Sequence, residues 1–203
     1  QGIRNADWEN VGGGDGFYVR IDPTDPTVLY AESQNGSVRR LDTDTGERVS
    51  IRPTPRFELD EGTIPKKEYP SDDDPDEEAR QYRFNWNTPF LVSVHDSSTL
   101  YLGSQMLLRS TDRGLNWTQI SPDLTFDIDR SKLSIMDVLP SDSMLSRHDG
   151  VEFYSTVTVV AESPMNANVL YTGSDDGRIM GTRDGGVTWL DLTEGMRDLP
   201  SNT

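Results

Sequence analysis

The chain of 203 residues contains no cysteine, which removes disulfides, thiol nucleophiles and cysteine metal sites together. It has no run of about 18 apolar residues, so no helix of it can cross a bilayer. Positive charge is in short supply: 19 Lys and Arg stand against 35 Asp and Glu, a formal net charge of -16. Phosphate recognition depends on clustered Lys and Arg, so nucleic acid is excluded as a partner. Histidine is almost absent. His95 and His148 are the only two, each followed by Asp, and without His-x-x-x-His spacing no transition-metal site and no cofactor is expected; His95 belongs to the polar turn around Asp96. Apolar residues make up only 33%, little for one compact domain of this length.

That shortage has a location. Residues 59–80 hold nine acidic residues and three prolines, the composition of a solvated loop. The run Asp72, Asp73, Asp74, Asp76, Glu77 and Glu78 could supply calcium with oxygens, but it lacks the glycine spacing of a calcium loop and is interrupted by Pro75, which favours the solvated insertion. Elsewhere, short segments rich in Val, Ile, Tyr and Thr recur between Gly, Asp, Asn and Pro clusters, the pattern of short strands and tight turns.

Self-similarity organises these segments. Leu29-Tyr30, Leu100-Tyr101 and Leu170-Tyr171 lie 71 and 70 residues apart. Each pair follows an apolar strand candidate (17–21, 90–94 and 157–161) and a polar turn, and precedes a third candidate (38–41, 106–109 and 178–181). Next comes the pattern [S/T]-x-D-x-G-x-x-W, formed by Ser110, Asp112, Gly114 and Trp117 and again by Thr182, Asp184, Gly186 and Trp189. A worn copy runs from Asp42 to Val49, with Asp42 in the hydroxyl position and Val49 in the Trp position. The physical reading is a hairpin turn in which Asp accepts backbone N–H groups, Gly supplies positive φ and Trp folds back onto its own sheet as an apolar plug. A fourth strand is predicted after each turn, near 48–51, 118–120 and 188–192. Four antiparallel strands per unit, repeated, predict an all-β chain of β-propeller blades.

These motifs resemble the Asp-boxes, or bacterial neuraminidase repeats, of the sortilin-type propellers and of bacterial propellers named as glycosyl hydrolases. The resemblance implies a secreted protein, periplasmic or extracellular, that binds protein or peptide ligands or serves as a scaffold; the alternative it implies is a carbohydrate-active glycoside hydrolase. A sialidase is not expected, because the nearest string to the Phe/Tyr-Arg-Ile-Pro motif, Ser50-Ile51-Arg52-Pro53, lies at the end of a blade. Asp112 and Asp184 are explained by turn architecture and not by catalysis.

The candidate site is positional. In a propeller the connections into the inner strands open toward the central channel, on the face opposite the motif turns. These connections carry Asp15 in the first unit, Arg83, Asn85 and Trp86 in the second, and Glu152 and Tyr154 in the third. Asp15 and Glu152 are the carboxylate pair a glycosidase would need; Arg83, Asn85, Trp86 and Tyr154 are the ligand-binding candidates, for a peptide or a glycan. The expected organisation is a lead-in at 1–13, blades at 14–51, 82–121 and 149–192, insertions at 52–81 and 122–148, and a lead-out at 193–203. About three blades of a larger ring are predicted, with the remaining blades as partners. The second insertion contains an apolar patch, Leu133, Ile135, Met136, Val138 and Leu139, suited to a short helix or a docking strand.

Overall fold

The computed structural model describes residues 2–5, 8, 10–53, 82–134, 137–139 and 153–196. The whole acidic stretch 59–80, the segment with His148 and Glu152, and Ile135 and Met136 lie outside the described residues. Twelve strands are present among those described: β1 (Val19–Asp22), β2 (Asp25–Ser33), β3 (Ser37–Asp42), β4 (Arg48–Ser50), β5 (Phe90–Val92), β6 (Leu100–Gly103), β7 (Leu107–Ser110), β8 (Thr118–Gln119), β9 (Val157–Ser163), β10 (Asn166–Ser174), β11 (Ile179–Thr182) and β12 (Leu190–Asp191). They form three four-stranded sheets, each a meander of sequential neighbours, antiparallel throughout. Three consecutive meanders packed face to face are three propeller blades.

Three strand starts depart from expectation for one reason: side chains take the backbone groups that a strand would use. β7 and β11 start one residue late, because Ser104 Oγ accepts the Met106 N–H at 3.1 Å and Ser174 Oγ accepts the Arg178 N–H at 3.0 Å. β12 starts at Leu190 and not at Thr188, whose N–H is bound to Asp184 at 2.9 Å. In the second insertion the 130–132 segment forms one 3-10 turn capped by Asp129, while Val138 and Leu139 are exposed.

Among the described residues apolar burial is concentrated at the two seams. Val28, Tyr30, Val38 and Ile51 of the first blade pack on Phe90, Leu100, Leu102 and Leu108 of the second. Tyr101 and Leu107 of the second pack on Val157, Leu170 and Met180 of the third, with Leu124 added from the second insertion. The same tyrosine position is 0% exposed in the first blade, 3% in the second and 43% in the third, where no further blade covers Tyr171.

The two full motif turns use one hydrogen-bond plan. Ser110 Oγ donates to Asp112 Oδ1 at 2.8 Å and accepts the Gly114 N–H at 2.8 Å; Asp112 accepts the Asn116 N–H at 2.8 Å and its amide at 2.7 Å. Thr182 Oγ1 likewise donates to Asp184 at 2.8 Å and accepts the Gly186 N–H at 3.0 Å, and Asp184 accepts the Thr188 N–H and hydroxyl at 2.9 and 2.6 Å. The tryptophans depart from the expected plug on their own sheet. Each indole crosses the seam: Trp117 Nε1–H donates to the Ile51 carbonyl at 2.8 Å and Trp189 Nε1–H to the Ile120 carbonyl at 3.0 Å. The glycines admit the same neighbours. A Cβ at Gly114 would stand 2.6 Å from Ile51 Cδ1, and one at Gly186 would stand 2.6 Å from the Ile120 oxygen, at φ of 87° and 100°.

The worn copy is also corrected. Leu29 pairs with Leu41, as Leu100 pairs with Ser110 and Leu170 with Thr182. Leu41, not Asp42, therefore holds the hydroxyl position, and its partner Arg48, not Val49, holds the Trp position. Arg48 Nη2 donates to the Asn10 carbonyl at 2.9 Å, the same kind of bond to the segment before it that the indoles make.

These contacts set two expected outcomes. Gly114→Ala should lower the urea midpoint more than Gly46→Ala, because Gly46 shares the positive φ but has open space around its Cβ; left-handed backbone alone costs about 1–2 kcal/mol. Trp117→Phe should cost about 1–3 kcal/mol, since it leaves the Ile51 carbonyl unpaired. At low pH, Asp184 is held at about 2 by the Thr188 hydroxyl foremost, and Asp112 is lowered by the Asn116 amide foremost. The folded-state stabilisation from Asp184 is complete above the ordinary value of 3.8 and is lost as pH falls toward about 2, and that from Asp112 is lost in the same direction; acid titration of the unfolding midpoint checks it, and Asp184→Asn should flatten that limb.

Candidate functional site

Because each blade is an antiparallel meander, the β2–β3, β6–β7 and β10–β11 turns share one end with the connections into the inner strands, opposite the motif turns. The turn residue five places after the repeated leucine reaches across to its own connection. Gln105 Oε1 accepts the Arg83 N–H at 2.8 Å, and Asp175 Oδ1 accepts the Thr156 N–H at 2.8 Å. In the first blade Gln34 lies against Gly14, whose φ is 79°.

Arg83 is drawn into the seam between the second and third blades. Its Nη2 lies 2.9 Å from Asp123 Oδ2 and 3.0 Å from Asp127 Oδ1, and its Nε donates to the Ser155 carbonyl at 3.3 Å. Asp123 is itself fixed by the Thr125 N–H and hydroxyl at 2.8 and 2.6 Å. Asn85 Nδ2 donates to Thr156 Oγ1 at 2.9 Å, and its Oδ1 accepts the Asn87 N–H at 3.0 Å. The Thr156 hydroxyl donates in turn to Asp175 Oδ2 at 2.8 Å. Burial foremost raises the Asp175 carboxyl, opposed by the Thr156 bonds. Tyr154 adjoins Ser155, whose carbonyl accepts from Arg83, and its hydroxyl is also raised, by burial first and then by the charges of Asp175 and Asp176.

The structure thus brings Arg83, Asn85 and Tyr154 to one seam. Trp86 stays at the surface, 39% exposed, held by its carbonyl, which accepts the Asn35 N–H at 3.2 Å. Phe126 is 48% exposed, with the Arg178 guanidinium 5.3 Å from its ring. Asp15 is exposed in the first-blade connection; Glu152, its proposed mate, lies outside the described residues. Of the described cavities, two lie at the seams and one adjoins the connection that carries Asp15. Two equivalent grooves, about 400 and 380 Å³, flank Trp117 and Gly186 at the seams, and one of about 250 Å³ lies between Gly12–Gly14 and Ala31. Around Trp86 and Phe126 the face is exposed surface. Among the described residues no group of three or more acidic or histidine side chains is placed to hold a metal ion, and no helix is long and apolar enough to cross a membrane.

No family model matches the chain. No curated protein matches it in sequence. Among solved structures it is similar to a GH74 xyloglucanase from Xanthomonas campestris, at 21% identity and a TM-score of 0.48, covering 89% of this chain and 21% of that one. An ancestral GH74 enzyme gives 14% identity, a TM-score of 0.48, and coverage of 89% and 18%. YCF48 bound to a D1 peptide gives 14% identity, a TM-score of 0.43, and coverage of 88% and 40%. The chain spans about a fifth of the length of the two enzymes.

Sequence reasoning missed Gln105, Asp123, Ser155, Thr156 and Asp175. A signal for two of them was present: Gln34, Gln105 and Asp175 stand at one place in the Leu-Tyr repeat. Asp123 and Thr125 carried none, because their partner Arg83 is 40 residues away from Asp123.

Arg83→Met keeps the stem of the side chain but frees Asp123 and leaves the Ser155 carbonyl without its donor. The expected cost is about 1–3 kcal/mol, discounted because Arg83 is partly solvated, and the 122–134 segment should become more sensitive to limited proteolysis.

Proposed function

We propose that these blades belong to a larger propeller ring, and that the face carrying Trp86 binds protein or peptide ligands or docks the ring within a larger assembly. The observation that carries this reading is the division of labour on that face. Arg83 spends its polar groups on Asp123, Asp127 and the Ser155 carbonyl, and Asn85, Thr156 and Asp175 spend theirs on one another, while Trp86 and Phe126 present aromatic surface, the kind of anchor that dominates protein recognition. Exposed Val138 and Leu139 extend the apolar surface of the second insertion. The Asp-box assignment of the two motif turns is part of the same proposal, supported by their shared hydrogen bonds. An extracellular or periplasmic location rests on the resemblance to sortilin-type propellers.

The remaining blades of the ring are the proposed occupants of the open third-blade face, where Val159, Tyr171 and Leu190 are exposed in the rows that Leu107 and Tyr101 bury in the second blade. The isolated 203-residue chain should therefore self-associate through this face. Sedimentation velocity should show concentration-dependent association that Tyr171→Asp abolishes.

Selection of peptides from a display library, with a glycan array in parallel, tests the binding reading. Peptides should be enriched, and Trp86→Ala should weaken them by roughly 30-fold, as expected for an aromatic anchor worth about 2 kcal/mol. Glycan cleavage that depends on Asp15 or Glu152, without peptide enrichment, would establish the hydrolase instead.

A further inference from the structure

Glu32 breaks the rule of the repeat. It lies three residues after the repeated leucine, where the second and third blades have Gly103 and Gly173. Those positions have little room: a Cβ at Gly103 would stand 2.7 Å from Pro89 Cγ and 2.9 Å from Val157 Cγ1, and one at Gly173 would stand 3.0 Å from Val159 Cγ1. The first blade instead places a full carboxylic acid there, 2% exposed, and neither of its oxygens has a hydrogen-bond partner among the described residues. An unpaired acid in an apolar seam is costly, and such local violations concentrate at functional positions.

Its surroundings are nearly free of charge. β3 sets Val38 opposite it, and the stretch before β1 sets Tyr18 opposite it. The next row on that face holds two cations, Arg20 and Arg40, the first set 5.0 Å over the Tyr18 ring and the second turned to the Arg113 carbonyl. The connection into the second blade contributes Thr88, which is fully buried, and no ionisable side chain. The backbone N–H groups of Tyr18 and Thr88 lie toward the carboxyl and favour its charged form, but burial dominates and raises it to about 7. Thr88 is in turn tied to the candidate face. Its hydroxyl donates to the Asn85 carbonyl at 2.7 Å, and the next residue, Trp86, is bonded through its carbonyl to the first blade.

We propose that Glu32 is a proton-controlled latch on the connection that carries Asn85 and Trp86: protonated, it rests neutral in the seam, and ionised, it draws the Tyr18 and Thr88 N–H groups onto its oxygens and so shifts Trp86. The proposal rests on the Trp86 face being the binding face only for its consequence, not for the latch itself. The stability that neutral Glu32 contributes is complete below its ordinary value of 4.5 and is lost as pH rises through about 7.

The test follows Trp86 fluorescence in the intact chain from about pH 5 to about pH 9, with Trp86→Phe subtracted to isolate its signal. The wild-type signal should change with a midpoint near 7, and Glu32→Gln should remove the change. A flat wild-type profile, or an unchanged profile in Glu32→Gln, overturns the latch. Should Glu32→Gln fail to fold, carbon-13 titration of the Glu32 carboxyl in the wild type decides: a midpoint near the ordinary carboxylate value overturns the proposal, and one near neutrality that tracks Trp86 supports it. A pH-dependent Trp86 with no peptide binding at any pH supports the latch and defeats the binding face.

Discussion

The seam between consecutive blades is the constraint on which the rest of the structure depends. With 33% apolar residues the chain cannot build a deep core, so it builds thin ones, and a thin core holds only if two sheets approach closely. Gly114 and Gly186 permit that approach by having no side chain where Ile51 and Ile120 arrive. Trp117 and Trp189 then close the seam with an apolar ring and satisfy a carbonyl that would otherwise be buried unpaired. The Asp and hydroxyl residues of the motif act one step back: they fix the turn so that indole and glycine arrive together.

The opposite end of the blades is joined by polar chemistry. Arg83 binds the connection into its own blade to the 123–127 segment and to the connection into the next, and Asn85, Thr156 and Asp175 continue that network across the seam. Polar residues that look available in the sequence are thereby consumed in positioning the connections. Trp86 and Phe126 remain at the surface because nothing of the network covers them. Glu32 stands outside both arrangements, an acid where the other two blades have Gly103 and Gly173.

Much of the architecture was legible in the residues. The Leu-Tyr spacing located three units, and the Ser/Thr-x-Asp-x-Gly-x-x-Trp pattern located two turns, because strand period and turn chemistry are local. The worn copy misled by one residue: Asp42 and Gly46 match the pattern by spacing, yet β-pairing puts Leu41 and Arg48 in the places of Ser110 and Trp117. Register is set by cross-strand partners, which a one-dimensional alignment does not contain. The candidate site was less legible. Its connections could be placed from topology, but whether Arg83 and Asn85 faced solvent or the seam depended on Asp123 and Thr156, distant in sequence.

The sequence by itself determined that the chain is all-β, that it is built from repeated four-stranded units and where two of its tight turns lie, since alternation, turn residues and repetition are properties of short segments. Only the tertiary structure decided that the tryptophans belong to the neighbouring blade, that the polar residues of the connections pair across the seam and that Glu32 is buried with no hydrogen-bond partner among the described residues. Those facts depend on which surfaces meet, and surfaces meet through contacts about 20 to 70 residues apart in the chain.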